Sequence, residues 1–300
     1  MISVLILTKN EEQDIRGCLD SVAWSDDVHV LDSYSTDLTV ERAQAAGANV
    51  VQREFDNWSA HQNWALANIP FRNDWVFYLD ADERVTPELA ANICSAVSNP
   101  GDRVAFRIRR RDFWGASWLK HVQASSYYLR LFRPEKMRYE RLVNPVSVPL
   151  GPVGDVEGFL DHYPFSKGMT HWLARHNSYS SLEAEQILKN RGTNQSFSLF
   201  QALFAKDVNA RRFHQKELFY RVPARPLLKF ALLYFGKRGF LDGSAGFRYA
   251  VLQSIYEYMI VLKSKELAER SSAAVLAPNE GMAIPKAVLK ENYANSRTRD

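Results

Sequence analysis

The sequence predicts an α/β fold built on a mixed, mostly parallel sheet flanked by helices, with a helical appendage at its C-terminal end. Three observations carry that expectation. Apolar runs of strand length alternate with helix-patterned segments through the first hundred residues. One run, Trp75-Val76-Phe77-Tyr78-Leu79, is unbroken, as for a strand covered on both faces. The charge is uneven: from Lys189 to Arg270 fifteen Lys/Arg face six Asp/Glu, a net of +9, so the total of +4 leaves −5 for the rest.

Ile2 to Leu7 reads as the first buried strand, and Thr8-Lys9-Asn10-Glu11-Glu12 as a polar turn opening a helix. Ile15, Cys18, Leu19 and Val22 then fall at helical spacing. Val28 to Leu31 is a second strand ending at Asp32. The capping turn Ser33-Tyr34-Ser35-Thr36-Asp37 leads into a helix from about Leu38 to Ala46, which Gly47 stops. A third strand at 48–51 and a helix from about Ser59 to Asn68 precede the central run. That run ends in Asp80-Ala81-Asp82-Glu83, and Thr86-Pro87-Glu88 starts another helix. Such spacing makes βαβ units, whose right-handed crossovers place the ends of strands one, two and four on one rim. Thr8 to Glu11, Asp32 and Asp80 to Asp82 should therefore share a cleft, where open α/β sheets bind ligands.

Farther on, 104–109 and Tyr127 to Arg133 read as strands, with Trp114, Trp118, Lys120 and His121 in a loop between them. A strand from near Val156 ends at Asp161-His162-Tyr163, and a long helix follows from Ser166 to about Lys189. Cys18 and Cys94 form no C-x-x-C, so buried free thiols in a reducing compartment are expected. No signal peptide is expected from the short uncharged start, and no stretch approaches the ~18 apolar residues of a spanning helix. The turn after the first strand lacks glycine, against a dinucleotide fold, and no G-x-x-x-x-G-K-[ST] is present.

Asp80 and Asp82 supply two hard oxygen donors beside the cleft. They suit Mg²⁺ or Mn²⁺, which bind through one or two carboxylates plus a substrate phosphate. The alternative for such a triplet is a solvated acidic turn.

Four segments carry a resemblance: Leu7-Thr8-Lys9-Asn10-Glu11-Glu12, Asp32-Ser33-Tyr34-Ser35-Thr36-Asp37, Gln62-Asn63-Trp64-Ala65-Leu66 and Leu79-Asp80-Ala81-Asp82-Glu83. In that order they resemble the nucleotide-sugar half of a family-2 glycosyltransferase of the GT-A fold, and more narrowly the lipopolysaccharide core β-glucosyltransferase-like branch. The resemblance implies a nucleotide-sugar site at Thr8, Asn10, Glu11, Asp32, Ser33, Gln62, Asp80, Ala81 and Asp82. The Thr8 region and Asp32 would hold base and ribose, the Asp32 carboxylate accepting a uracil imide N–H; its other reading is a helix cap. Asp82 would be the direct metal ligand, with Asp80 nearer ribose and sugar.

His162 stands where resembling sequences carry a histidine: a third metal ligand, a diphosphate contact, or a hydrogen-bonded structural residue. His171, Arg175 and His176, on neighbouring helical turns, are either further candidates for the diphosphate or, the commoner use, a solvated helix face. Trp114 and Trp118 suit either a sugar face or the core. Related sequences place the general base after an R-L-F-R strand, often within Val-His-Glu. Here that place reads Val143-Asn144-Pro145, which leaves Glu140, Asp155 and Asp112 as base candidates.

The domain reading is 1–190 catalytic, with a nucleotide-sugar half at 1–100 and an acceptor half at 101–190. A basic amphipathic helical region at 191–270 and a flexible tail at 271–300 follow. The tail region mixes Phe197, Phe200, Phe204, Phe213, Phe219 and Tyr220 with Arg211 and Arg212, and Gly236-Lys237-Arg238-Gly239 follows Leu227 to Phe235. That pattern fits attachment to an anionic membrane surface, or alternatively a subdomain packed on the core. No motif points to nucleic acid. The expected function is an inverting transfer of a sugar from a nucleoside diphosphate, UDP first, to a glycan or lipid-linked acceptor. It would serve cell-envelope polysaccharide or lipopolysaccharide assembly, peripheral on the cytoplasmic face of the membrane. A catalytically silent nucleotide-sugar-binding protein is the alternative. A sugar nucleotidyltransferase is disfavoured, because the glycine-rich start those enzymes use is absent.

Overall fold

The apolar runs of the first half become the strands they predict. β1 (Ser3–Thr8) is buried at every position. It is followed by α1 (Ile15–Ser21), β2 (Val28–Asp32), α2 (Thr39–Ala45), β3 (Asn49–Gln52), α3 (Trp58–Asn68) and β4 (Val76–Asp80). β2 and β4 flank β1, both parallel to it, and β3 extends the sheet beyond β2. Successive residues serve opposite faces. Val4, Ile6, Phe77 and Leu79 enter one core cluster with Ile15 of α1. Leu5, Leu7, Val76 and Tyr78 enter a second, with Ala65 of α3. Truncating the fully buried Phe77 to Ala costs about 3–5 kcal/mol in such a setting. This is a computed structural model, and it describes residues 1–140, 146–192, 198–204 and 224–276, with positions 211, 214, 215, 218, 220 and 222.

β5 (Glu83–Val85) follows at once, and α4 (Pro87–Ser98) starts where Thr86 caps the Leu89 N–H. The second half adds β6 (Ala105–Trp114), β7 (Ser117–Trp118), β8 (Tyr127–Phe132), β9 (Met137–Glu140), β10 (Val146–Pro149) and β11 (Val153–His162). The main sheet runs β3-β2-β1-β4-β8-β6-β11-β5, with β7 on β6, while β9 and β10 form a separate ribbon. β8 is antiparallel to both β4 and β6, so the parallel first half joins the second half through a reversed strand. The loop expected around Trp114 and Trp118 is a hairpin instead, with Phe113 opposite Trp118. Both tryptophans pack: Trp114 on Phe165 at 4.2 Å and Trp118 on Phe159 at 5.5 Å. β11 carries a bulge after Val156, with Gly158 at φ +102°, where a Cβ would also press on α4 3.4 Å from the Leu89 Cα. Beyond the bulge His162 stands opposite Asp112 of β6 and Glu83 of β5.

α5 (Gly168–Gly192), α6 (Leu199–Phe204), α7 (Arg225–Ala231) and α8 (Gly243–Leu276) complete the described chain. α7 runs on into a π-helical turn (Leu232–Gly236), and a 3₁₀ turn (Gly239–Asp242) leads into α8. α8 packs against α5 and α7. A third apolar cluster, with Leu119, Val122, Leu233, Ala245 and Ala250, ties this hairpin to the strands. Asp242 accepts the backbone N–H of His121 and of Val122 at 2.9 and 2.8 Å. A Cβ at Gly239 would lie 3.0 Å from Val122 Cγ2, and within the hairpin a Cβ at Gly246 would lie 2.0 Å from the Gly239 carbonyl. α8 is thus a 34-residue helix docked on the segment that follows β7. Among the described residues, no helix is long and apolar enough to cross a membrane. Val143, Asn144, Pro145, Phe197, Arg212, Phe213, Phe219 and the tail from 277 lie outside the described residues.

Candidate active site

Strand register sets the site. Thr8 lies opposite Asp32 and Leu7 opposite Asp80, so β1, β2 and β4 end level on one rim. The rim opens on a cleft of about 1290 Å³ that reaches from Tyr34 and Trp58 to His162 and Arg175. Of the predicted nucleotide-sugar residues, Thr8, Asn10, Glu11, Ser33, Gln62, Asp80, Ala81 and Asp82 line it.

Asp32 does not. Its carboxylate is wholly buried. Oδ1 accepts Thr8 Oγ1 at 3.0 Å and the Ser35 hydroxyl; Oδ2 accepts the Ser35 N–H at 2.8 Å and Gln52 Nε2 at 3.0 Å. A carboxylate has about four lone-pair sites, and all are taken. The expected contact from Asp32 to a base is closed, and the residue instead shapes the turn that carries Ser33 and Tyr34. A second set of bonds locks that turn to the one after β1. Lys9 donates to the carbonyls of Ser33 and Tyr34, Asn10 N–H to Ser35 Oγ at 2.8 Å, and Thr36 N–H to Asn10 Oδ1 at 2.8 Å. Asn10 and Tyr34 both adopt positive φ, 53° and 57°.

Tyr34, Phe55 and Trp58 line the same end of the cleft and stay exposed, and Phe55 meets Trp58 edge-on at 5.1 Å. His61 accepts from Arg53 at Nδ1 (2.8 Å), which leaves the Nε2 proton facing Ser33 Oγ at 3.4 Å. Burial, with Arg53 beside it, lowers its pKa. Gln62 is buried with no partner for Oε1, whereas Asn63 spends its side chain clamping β9 through Tyr139. Sequence reasoning missed Tyr34, Phe55 and Trp58. Their signal is aromatic rings among consecutive polar loop residues, where no core needs them.

At the other end, charges alternate along a chain. Asp80 Oδ2 meets Arg130 Nη2 at 2.7 Å, and the same nitrogen meets Glu83 Oε1 at 2.5 Å. Arg110 bridges Glu83 at 3.7 Å and Asp112 at 3.1 Å. Asp112 takes the Nδ1–H of His162 at 2.7 Å, and His162 Nε2 faces Asp82 Oδ2 at 3.3 Å. Burial alone would raise the Asp80 carboxyl, but Arg130 and the Tyr78 hydroxyl hold it at about 2. For Glu83 burial prevails and the pKa rises. Burial works against a charged His162, yet its bonds to Asp112 and Asp82 push it up to about 9. The same histidine outweighs burial at Asp82 and lowers its pKa. Arg130 was missed as a site residue. A lone arginine inside Leu129-Arg130-Leu131-Phe132 signals a buried counter-charge.

With four carboxylates, Asp80, Asp82, Glu83 and Asp112, against three cations, Arg110, Arg130 and protonated His162, one negative charge is left over. Asp82 lies at the cleft end of the chain. A divalent ion would be held there by Asp82 and, once the ring gives up its Nε2 proton to the incoming cation, by His162, with Asp112 holding the imidazole from behind as an outer carboxylate does in metal sites. Asp80 accepts the Tyr78 hydroxyl at Oδ1 (2.6 Å) and Arg130 at Oδ2 (2.7 Å), yet it lines the cleft one-third exposed and keeps a lone pair on each oxygen. Among the described residues no three His, Cys, Asp or Glu converge as a metal cage. Arg175 lines the cleft near Asp82 with its buried Nε unpartnered. His176, stacked on Trp172 at 3.5 Å, lines it too. His171 is exposed.

The base candidates fare differently. Asp155 pairs with Arg107 at the start of β11, the opposite end of the strand from His162. Glu140 is exposed and paired with Arg138, on the face of β9 opposite the inward Tyr139. Asp112 is buried behind His162. None of the three lines the cleft, because of the strand end, face or depth at which each stands.

Residues 3–159 match the family model "Glycosyl transferase family 2". The chain is 24% identical over 292 residues to an uncharacterised glycosyltransferase of Rickettsia typhi, covering 93% of this chain and 91% of that one. It is 25% identical over 272 residues to the lipopolysaccharide core biosynthesis glycosyltransferase LpsC of Rhizobium meliloti, covering 87% and 91%. Among solved structures it is similar to glucosyl-3-phosphoglycerate synthase of Mycobacterium tuberculosis in complex with Mn²⁺, UDP and glucosyl-3-phosphoglycerate. That match is 27% identical, with a TM-score of 0.33, and covers 38% of this chain and 45% of that one. With more than half of its length matched, and with the acid-ended parallel strands that the match spans, the chain belongs to glycosyltransferase family 2 and is built on the GT-A fold.

Proposed function

We propose that this glycosyltransferase moves a sugar, with inversion, from a UDP-linked donor to a glycan or lipid-linked acceptor in lipopolysaccharide or related envelope polysaccharide assembly. It works as a peripheral protein on the cytoplasmic face of the membrane. The observation that carries the reading is Asp82 facing His162 Nε2, with Asp112 behind the ring, at the end of a cleft whose other end is aromatic. The base stacks among Tyr34, Phe55 and Trp58, and Gln62, with its unpartnered Oε1, takes the place expected for Asp32. Arg175 faces the diphosphate. Asp80, ionised by Arg130 and one-third exposed, keeps acceptor capacity for a sugar hydroxyl. When bound, Mg²⁺ or Mn²⁺ supplies Lewis-acid charge to the departing diphosphate. The lipopolysaccharide setting draws on the likeness to the Rhizobium protein.

The test is calorimetric titration of UDP with and without Mn²⁺. Binding should require the cation, and Asp82→Ala should weaken it by at least about a hundredfold. Equal UDP affinity in the variant would sink the assignment. The silent-binder reading is favoured by the three base candidates that do not reach the cleft. Turnover of a UDP-sugar in the presence of Mn²⁺ excludes it.

A further inference from the structure

We propose that the turn between α7 and α8 is a docking surface for anionic phospholipid, a deepening that rests on the membrane-peripheral reading above. Between residues 224 and 262 the only acids are Asp242 and Glu257. Both are buried and spent, Asp242 on His121 and Glu257 on Arg225. The outward charges of this segment are therefore all positive: Lys237, Arg238 and Arg248 are exposed, and Lys229 is half-buried. None of these four is held in an ion pair among the described residues.

The same surface is apolar where a water-facing turn would be polar. Leu227 is 70% exposed, Phe235 62% and Leu241 55%. Phe240 and Phe247 are also open, and with Phe230, Tyr234 and Phe235 they form one aromatic cluster with ring centroids 5.1–6.2 Å apart. Exposed apolar side chains interspersed with unpaired cations, with both acids of the segment buried, match an acyl boundary beneath anionic head groups. The surface is also wired to the cleft. Tyr249 of α8 donates to Gln123 Oε1 at 2.8 Å, and the Gln123 side chain bonds Asp112, the residue behind His162. α8, which carries part of this face, thus stands two hydrogen bonds from Asp112.

The experiment uses the full chain in co-sedimentation with vesicles of phosphatidylethanolamine and phosphatidylglycerol, and with vesicles of phosphatidylcholine alone. Binding should be confined to the anionic vesicles and fall in high salt. Lys237→Glu with Arg238→Glu should weaken it by at least about 25-fold, about fivefold per charge lost. Leu227→Ser with Leu241→Ser should weaken it by about tenfold or more. Melting temperature and Mn²⁺-dependent UDP binding, measured without vesicles, should not move in either variant. Loss of UDP binding with vesicle binding intact would strike the donor site and not this surface. Absence of binding to anionic vesicles, or binding that neither variant weakens, overturns the proposal. Self-association of the chain that the leucine variant abolishes, without vesicle binding, overturns it in favour of a second copy as the occupant.

Discussion

Replacing Arg130 with Met tests the charge chain most directly. The guanidinium is 5% exposed and its Nη2 touches Asp80 at 2.7 Å and Glu83 at 2.5 Å. Methionine keeps the volume but leaves a buried carboxylate without its cation. That loss costs about 3–5 kcal/mol, on the order of 10 °C in Tm for a chain of this size. The cost depends on pH in a defined direction. Asp80, held at about 2 in the folded protein, adds stability that is present above its unfolded value near 3.8 and lost as pH falls through 2. In the variant the Asp80 and Glu83 carboxyls both titrate higher, so the deficit should be full at pH 7 and shrink toward pH 5 as they take up protons. Because both contacts run through one nitrogen and Nε has no partner, Arg130→Lys should recover roughly half of the loss. Thermal melts of the three proteins from pH 5 to 8 measure this. A methionine variant that melts with the wild type at pH 7, or whose deficit is as large at pH 5, refutes the reasoning.

Glu11 behaves oppositely. Burial, only partly offset by the Lys167 ammonium, raises its carboxyl to about 7, so the folded state penalises its charge above pH 7 and is relieved as pH falls toward 4.5. Glu11→Gln should therefore stabilise by about 2–3 kcal/mol at pH 8, with no gain at pH 4.5, read by melts at both values. At the far end of the sheet, Asp27 takes Ser3 Oγ at 2.5 Å, His29 Nε2 at 2.9 Å and the Arg72 N–H at 2.8 Å. Asp27→Asn should cost about 2–3 kcal/mol in denaturant melts, because its amide turns a donor toward donors, while Mn²⁺-dependent UDP binding stays unchanged.

The parallel half of the fold was legible because every signal there is local. An apolar run, an acid or cap residue and a helical repeat occur within about 25 residues, and each strand end follows from the one before. Hence Asp32 and Asp82 were placed on one rim, and the Thr8, Ser33 and Asp82 neighbourhoods do share a hollow. The second half resisted because its pairings are distant. Arg130 meets Asp80 and Glu83 across 50 and 47 residues, and His162 meets Asp112 across 50. No periodicity encodes which strand reverses between β4 and β6. The same limit misjudged Glu140 and Asp155: sequence distance from a strand says nothing of which face or which end a carboxylate occupies.

That contrast explains which acids do what. A carboxylate at a strand end can bind a ligand only if its lone pairs are not already claimed, and the site spends several acids on structure to keep a few available. Asp32 gives all four of its positions to the turns that present Ser33 and Tyr34. Glu83, wholly buried, accepts the Asp80 N–H at 3.0 Å and shares Arg130, which orders the acidic turn from below. Asp112 gives an oxygen to His162. Asp82, bonded to nothing firmer than the 3.3 Å contact with His162, is left with its charge directed at the cleft. Pre-organisation of this kind removes ordering cost at the moment of binding. On the proposed assignment the acid that meets the ligand is one loosely tied to the protein, a property visible in the hydrogen-bond pattern and absent from the Asp-x-Asp spelling alone.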